Sequence, residues 1–222
     1  YNIINNKLIK GDKLDMDDFT YEKEEKPVGP EIYEWDNVWW EQVPDNVRPR
    51  VLYIGDSISC GIRRYATWLS DEKILFDGFG TSKAVDNEYL AESIRFFGKQ
   101  QKRRNIIIFN NGLHGFHLND TEEYGNYYEK MVQFLMEEYP DTPLALVLTT
   151  SVDSPRNARV IRRNETVQKI AEKYNLPVID LYAPSVEYAS LHSDDGIHFT
   201  DEANEKLAKI ILESIHKIIP EL

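Results

Sequence analysis

Two short segments of the sequence carry side chains suited to nucleophilic catalysis. Ser57 lies in VLYIGDSISCG, directly after four apolar residues, and His198 lies in SDDGIHFTDEAN near the C-terminal end. A serine hydroxyl is a poor nucleophile unless a neighbouring base removes its proton, and histidine is the usual base. The two residues therefore predict acyl transfer through a serine nucleophile, provided that the fold brings them together.

The alternative interpretation of Ser57 is structural. Serine or aspartate before a helix is a common N-cap, worth about 1 kcal/mol, and the segment SCGIRRYATWLS that follows is expected to be helical. A nucleophile at a helix N-terminus would also gain from the free backbone N–H groups, which stabilise negative charge on a bound oxygen.

The carboxylate expected to assist His198 is Asp195, three residues before it, with Gly196 between them to let the chain turn. This spacing allows the carboxylate to reach Nδ1 of the imidazole, fix its tautomer and stabilise the imidazolium. Asp194 is a close rival for that role. The alternative is a loop in which the aspartate only caps a turn.

An ester carbonyl under attack becomes an oxyanion, which needs hydrogen-bond donors already in place. The backbone N–H of Ser57 is one candidate, and that of Gly80 in FDGFGTSKAVDN is another, because glycine permits a close approach of backbone and ligand. Polar candidates in FNNGLHGFH are Asn110, Asn111 and His114. As alternatives, Gly80 serves only a turn and the asparagines satisfy their own backbone.

The elements that must position these residues alternate between strands and helices. Five apolar runs with strand character, VLYI (51–54), ILF (74–76), NIIIFN (105–110), LALVLTT (144–150) and PVIDLY (177–182), are separated by segments of helical period. Apolar strands that alternate with helices predict a parallel sheet covered on both faces. Ligands bind such sheets at the carboxyl ends of the strands, where all the candidate residues are expected.

The N-terminal 49 residues differ from the rest of the chain. They are acidic and rich in turn residues, and they hold three of the four tryptophans, Trp35, Trp39 and Trp40. We expect residues 1–49 to form an arm packed through these aromatic rings on a single domain formed by residues 50–222. A sugar-binding wall is the functional alternative for the tryptophans.

The charge and cysteine content restrict the partners and the compartment. A net charge of −12 argues against nucleic acid or an anionic membrane as the main partner. No apolar run is long enough to span a membrane. Cys60 is the single cysteine, so no intrachain disulfide forms, which slightly favours the cytoplasm; secretion remains an alternative if a signal peptide has been removed. Cys60 is expected to be a structural thiol.

Taken in order, the segments IGDSIS, GFGTS, NNGLHG and DDGIHFT resemble the conserved blocks of the SGNH/GDSL hydrolases over residues 50–217. The resemblance implies a flavodoxin-like three-layer αβα sandwich with a five-stranded parallel sheet. It also implies a serine esterase that uses neither cofactor nor metal. In this family's pattern, Ser57 matches the nucleophile, Gly80 the glycine donor, and Asp195 and His198 the final D-x-x-H.

The third block departs from the family's G-x-N-D. Residues 112–115 are GLHG, so that His114 stands where the family has the asparagine that donates to the oxyanion. A neutral imidazole N–H can donate a hydrogen bond, and His114 is similar in this to a G-L-H variant of the family. Asn110 or Asn111 remains the alternative donor.

These observations predict a serine esterase that works through an acyl-enzyme. The small residues near the site favour a short acyl group such as acetate, and the N-terminal aromatics would suit a saccharide. A lipase or thioesterase acting on longer chains and a ligand-binding member without catalysis are the alternatives. A nucleotide-binding protein of the flavodoxin type is disfavoured because it explains neither Asp195 nor His198. The oligomeric state is not predicted.

Overall fold

The computed structural model describes residues 33–43, 45–153 and 155–222, together with the backbone of residues 3–4 and 7–8. Those two short N-terminal segments, Ile3–Ile4 (β1) and Lys7–Leu8 (β2), pair antiparallel. Most of the predicted N-terminal arm lies outside the described residues. Its assignment as an arm therefore stays a prediction.

The described part of the main body contains a six-stranded sheet in the order β3-β5-β4-β6-β7-β8. Its strands are β3 (Asp36–Trp39), β4 (Arg50–Gly55), β5 (Leu75–Thr81), β6 (Ile106–Phe109), β7 (Leu144–Val147) and β8 (Val178–Ile179). Strands β4 to β8 pair parallel, as predicted. The predicted α/β fold is confirmed, with one strand more than expected.

The additional strand is β3, which pairs antiparallel with β5 at the edge of the sheet. Its four residues, DNVW, are mostly exposed, so the segment shows no apolar alternation. An edge strand is held by backbone pairing on one side only and does not require such a pattern. For this reason the sequence did not predict it.

Helices cover both faces of the sheet. They are α1 (Ser57–Leu69), α2 (Leu90–Gly98), α3 (Thr121–Glu138), α4 (Asn157–Tyr174), α5 (Tyr182–Glu187) and α6 (Asp201–Ile218), with a 3₁₀ turn at Ala189–Leu191. The side chains of α1 and α6 pack in one core, and those of α2 and α3 pack in the other. Among the described helices, none has the length and apolar character needed to cross a bilayer.

Strand β4 separates the two cores. Val51 and Tyr53 pack on the side of α1 and α6, while Leu52 and Ile54 pack on the side of α2 and α3. This follows from the two-residue alternation of side chains along a strand. Because both faces are buried, every side chain of the run is apolar, and α1 begins immediately beyond the strand's carboxyl end.

Three strands differ by three or more residues in length from the expectation, and one of them, β7, ends at Val147 instead of 150. Strand β5 continues to Thr81 instead of ending at 76, so Gly80 lies inside the strand, between Gly55 of β4 and Asn37 of β3. The glycines lower the strand propensity of this segment, but pairing on both sides holds it extended. Strand β8 is short because the Asp180 side chain accepts hydrogen bonds from the N–H groups that begin α5.

Candidate active site

Asp56, rather than Ser57, caps the first helix. Its Oδ1 accepts a hydrogen bond from the Ile58 N–H at 2.9 Å. The Asp56 side chain is fully buried, which raises the pKa of its carboxyl, although the nearby His114 and the Ile58 N–H oppose that shift. Since Asp56 satisfies the helix terminus, the Ser57 hydroxyl is available for other contacts.

The Ser57 hydroxyl lies against His198, which is 141 residues away along the chain. Ser57 Oγ is 2.7 Å from His198 Nε2, and His198 Nδ1 is 2.6 Å from Asp195 Oδ2. A carboxylate only accepts hydrogen bonds, so Nδ1 carries the imidazole proton and Nε2 accepts from the serine hydroxyl. The arrangement is therefore a nucleophile, a base and a carboxylate in series.

Asp195 also shapes the turn that leads to His198. Its Oδ1 accepts from the N–H groups of Ile197 at 2.8 Å and His198 at 2.9 Å, and Gly196 takes a positive φ of 67°. Of the two neighbouring aspartates, Asp195 is thus the one bonded to the imidazole. The Asp195 side chain therefore has both of the predicted roles. It caps the turn through Oδ1 and bonds the imidazole through Oδ2.

The Asp195 carboxyl has a depressed pKa. Partial burial raises it, but the hydrogen bonds from the His198 ring and from the N–H groups of Ile197 and His198 outweigh that effect and lower the pKa to about 2. The carboxylate therefore stays charged through the neutral and mildly acidic range, where it can stabilise a protonated imidazole.

The two asparagines proposed as oxyanion donors are engaged elsewhere. Asn110 donates to the Val147 carbonyl at 2.8 Å and to Thr149 Oγ1 at 3.0 Å, which uses both N–H groups of its amide. Asn111 is buried and donates to the Lys83 carbonyl at 2.8 Å. His114, in contrast, lines a cavity together with Ser57 and His198. His114 is therefore the side chain of the third block best placed beside the nucleophile.

Gly80 packs against the first turn of α1. A Cβ atom at this position would collide with Cys60 Sγ and press on the Asp56 carbonyl, so only glycine fits there. Burial raises the pKa of the Cys60 thiol, and its sulfur accepts a weak hydrogen bond from Arg63 at 3.6 Å. Cys60 thus occupies the space next to Gly80 as a packed thiol.

Arg163 holds the loop that carries His114. Its guanidinium donates four hydrogen bonds of 2.6 to 3.1 Å to backbone carbonyls in that loop, those of Gly112, His114, Gly115 and Leu118. It also stacks on the Tyr124 ring at 4.3 Å. Arg163 lies outside the segments that the sequence motifs indicated. Its spacing from Val160 and Val167, which places it on the buried face of α4, could have revealed it.

Two other histidines have partners away from Ser57, whereas one tryptophan reaches the His114 ring. His117 pairs with Asp86 at 2.6 Å, and His192 contacts the Ser151 carbonyl at 3.1 Å. Trp35 lies edge-on to His114 with 6.1 Å between ring centroids, whereas Trp39 approaches Arg64 on the surface of α1. Within the described ranges, no group of three or more potential ligand side chains is arranged to hold a metal ion.

The sequence profile of the GDSL-like lipase/acylhydrolase family matches residues 53–206. That range, more than half of the chain, includes Ser57, Gly80, His114, Asp195 and His198. A search of curated proteins finds no significant match.

Solved structures with the same fold are numerous, although their sequences are distant. The lipase/acylhydrolase from Enterococcus faecalis superposes with a TM-score of 0.62 at 18% identity, covering 76% of this chain and 96% of that one. The acetyl xylan esterase AlAXEase gives 0.60 at 15% identity, covering 75% and 99%. A carbohydrate esterase of family 3 from Talaromyces cellulolyticus gives 0.62 at 14% identity, covering 78% and 99%. At these identities the similarity establishes the fold.

Proposed function

Because the chain belongs to the GDSL-like lipase/acylhydrolase family, we propose that it is a serine esterase that cleaves carboxylic esters through an acyl-enzyme. Ser57 is the nucleophile, His198 the general base and acid, and Asp195 the residue that orients His198. The observation that carries the proposal is the 2.7 Å contact of Ser57 Oγ with His198 Nε2, backed by the 2.6 Å contact of Nδ1 with Asp195.

In the first half-reaction, Ser57 Oγ attacks the ester carbonyl carbon while His198 Nε2 takes the hydroxyl proton. The imidazolium that forms is stabilised by the Asp195 carboxylate, which the pKa of about 2 keeps charged. The tetrahedral intermediate then collapses. His198 returns the proton to the leaving oxygen, the alcohol departs, and the acyl group stays on Ser57.

In the second half-reaction, water occupies the place that the alcohol left. His198 Nε2 takes a proton from this water, whose oxygen attacks the acyl carbon, and the proton is then returned to Ser57 Oγ as the carboxylic acid leaves. The oxyanion formed in each half-reaction accepts hydrogen bonds from the Ser57 N–H and from the His114 ring. The N–H of Gly80, which the sequence also offered as a donor, points towards Asn37 of β3. Gly80 therefore serves the site by letting the first turn of α1 pack closely against β5.

The substrate is proposed to be a short-chain ester, with a saccharide as one candidate for the alcohol. Two proteins of the same fold are named as an acetyl xylan esterase and a carbohydrate esterase, and Trp35 stands at the edge of the His114 ring. Longer-chain lipase or thioesterase activity is the alternative, and a series of esters with rising acyl length separates the two.

A fluorophosphonate probe tests the proposed function directly, since only an activated serine reacts with it. We expect one equivalent to be incorporated on Ser57, as located by mass spectrometry of peptides, and none in the His198→Ala variant, because the base is gone. Wild-type protein that folds but takes up no probe would identify the chain as a binding member of the family without catalysis.

The role of His114 is tested by replacing it with alanine. If its ring donates to the oxyanion, we expect kcat to fall by about 10²- to 10³-fold with little change in KM, because the hydrogen bond strengthens in the transition state. His117→Ala is the matched control, since His117 pairs with Asp86 and does not line the cavity. Equal losses in both variants would contradict the assignment.

A further inference from the structure

An apolar cavity of about 120 Å³ opens beside Ser57 and His198. Five hydrophobic side chains form much of its wall: Leu113, Phe116, Val152, Val160 and Ile197. The first four are at most 9% exposed, so the cavity reaches into the body of the protein. It is built by three segments that are remote along the chain, namely the His114 loop, the start of α4 and the turn before His198.

The two arginines of the cavity wall are already engaged. Arg156 donates to the Asp195 carbonyl at 2.8 Å and pairs with Asp153. Arg159 lies over the Phe116 ring at 4.8 Å. Their guanidinium groups therefore support the walls, and the space they border is suited to an apolar group.

The proposed mechanism indicates whether this cavity holds the acyl group or the alcohol of the ester. Both the departing alcohol and the incoming water must reach His198 Nε2, because His198 exchanges a proton with each of them. The side chains of His198 and Asp195 are 43% and 47% exposed, so that side of Ser57 is open to solvent. The acyl group stays covalently on Ser57 through both steps, and the space beside Ser57 that is lined by the buried side chains of Phe116, Val152 and Val160 can hold it away from that solvent-exposed face.

Resting on the proposed function, we propose that this cavity is the acyl pocket, and that it selects acyl groups of about four to six carbons over acetyl. An apolar cavity of about 150 Å³ is known to hold benzene, a six-carbon ring, so 120 Å³ suits a chain of this size. An acetyl group would leave most of the cavity unfilled, and chains well beyond six carbons would meet its floor. The acetyl group that the sequence favoured is smaller than this cavity.

A series of p-nitrophenyl esters with one leaving group and rising acyl length tests the proposal. We expect kcat/KM to rise on the order of ten-fold from acetate to butanoate, since two more methylenes are buried. It should reach a maximum at butanoate or hexanoate and fall at decanoate. A maximum at acetate would overturn the acyl-pocket assignment while leaving the proposed function intact, whereas no turnover of any ester would contradict the proposed function itself.

Val160→Phe is the diagnostic variant because the larger ring fills the cavity. The ratio of kcat/KM for butanoate to that for acetate should fall on the order of ten-fold, because the two additional methylenes are no longer buried. Ile161→Phe is the matched control, since Ile161 is the next residue of α4 and its side chain is exposed, and the ratio should stay at the wild-type value. A Val160→Phe protein with the wild-type ratio would overturn the proposal.

Val160→Ala is a second test of the same cavity, for the case in which Val160→Phe does not fold. This smaller side chain enlarges the cavity, so the maximum of the series should move to longer chains, from hexanoate towards octanoate. An unchanged profile in the alanine variant would mean that the acyl group does not reach Val160, and the assignment would be wrong.

Discussion

Ser57→Ala is expected to lower kcat by about 10⁵- to 10⁶-fold, the largest effect of any single substitution in this protein. The change removes the only atom that forms the acyl-enzyme, and the hydrogen bond at 2.7 Å to His198 disappears with it. Residual turnover would come from binding and from the oxyanion donors alone. The measurement is steady-state hydrolysis of p-nitrophenyl butanoate, with chromatographic checks that no wild-type enzyme contaminates the variant.

The fold should survive this substitution because Asp56, and not Ser57, caps helix α1. Ser70→Ala is the matched control at the other end of the same helix. Ser70 Oγ accepts from the Ile74 N–H at 3.1 Å, so its loss should lower the melting temperature and leave kcat within about two-fold. If Ser57→Ala keeps more than about one percent of the activity, another nucleophile operates, and Cys60, one helical turn further on, is the first to examine.

Asp195→Asn is expected to lower kcat by about 10³- to 10⁴-fold. The amide oxygen can still accept from the Ile197 and His198 N–H groups, so the turn is retained. Its NH₂ group then faces His198 Nδ1 and donates to it, which forces the imidazole proton onto Nε2. In that tautomer His198 cannot accept the proton of Ser57.

Asp194→Asn is the matched control for this variant, because it makes the same change of charge at the adjacent residue. We expect kcat to stay within a few-fold of the wild-type value, since the imidazole is bonded by Asp195. A large loss of kcat in Asp194→Asn together with a small loss in Asp195→Asn would mean that Asp194, and not Asp195, orients His198. Equal small losses would mean that no carboxylate orients His198.

The contribution of Asp195 to the free energy of unfolding is expected to depend on pH in the acidic range. The pKa of Asp195 is lowered from an ordinary value of 3.8 to about 2 in the folded protein, so the folded state binds its proton less tightly than the unfolded state does. The stabilisation is therefore present above pH 3.8 and is lost as the pH falls towards 2. The difference in unfolding free energy between wild type and Asp195→Asn, measured in urea, should shrink over that window.

The alternation of apolar strand runs with amphipathic segments is local information, and it was sufficient for the α/β fold and for the parallel order of the main strands. Both depend on side-chain periodicity over a few residues, which any stretch of sequence displays. The same information placed Ser57 at a strand end and placed Asp195 three residues before His198. The edge strand β3 was missed because exposed backbone pairing leaves no apolar pattern.

The tertiary structure alone decided which of these side chains meet. It placed Ser57 Oγ 2.7 Å from His198, turned the amide of Asn110 towards Val147 and Thr149, and closed the cavity around Val160. It also assigned Arg163 to the His114 loop. These contacts join residues tens of positions apart, and their geometry depends on how helices and loops pack on the sheet. No local pattern encodes that packing, because it is fixed only when the whole core forms.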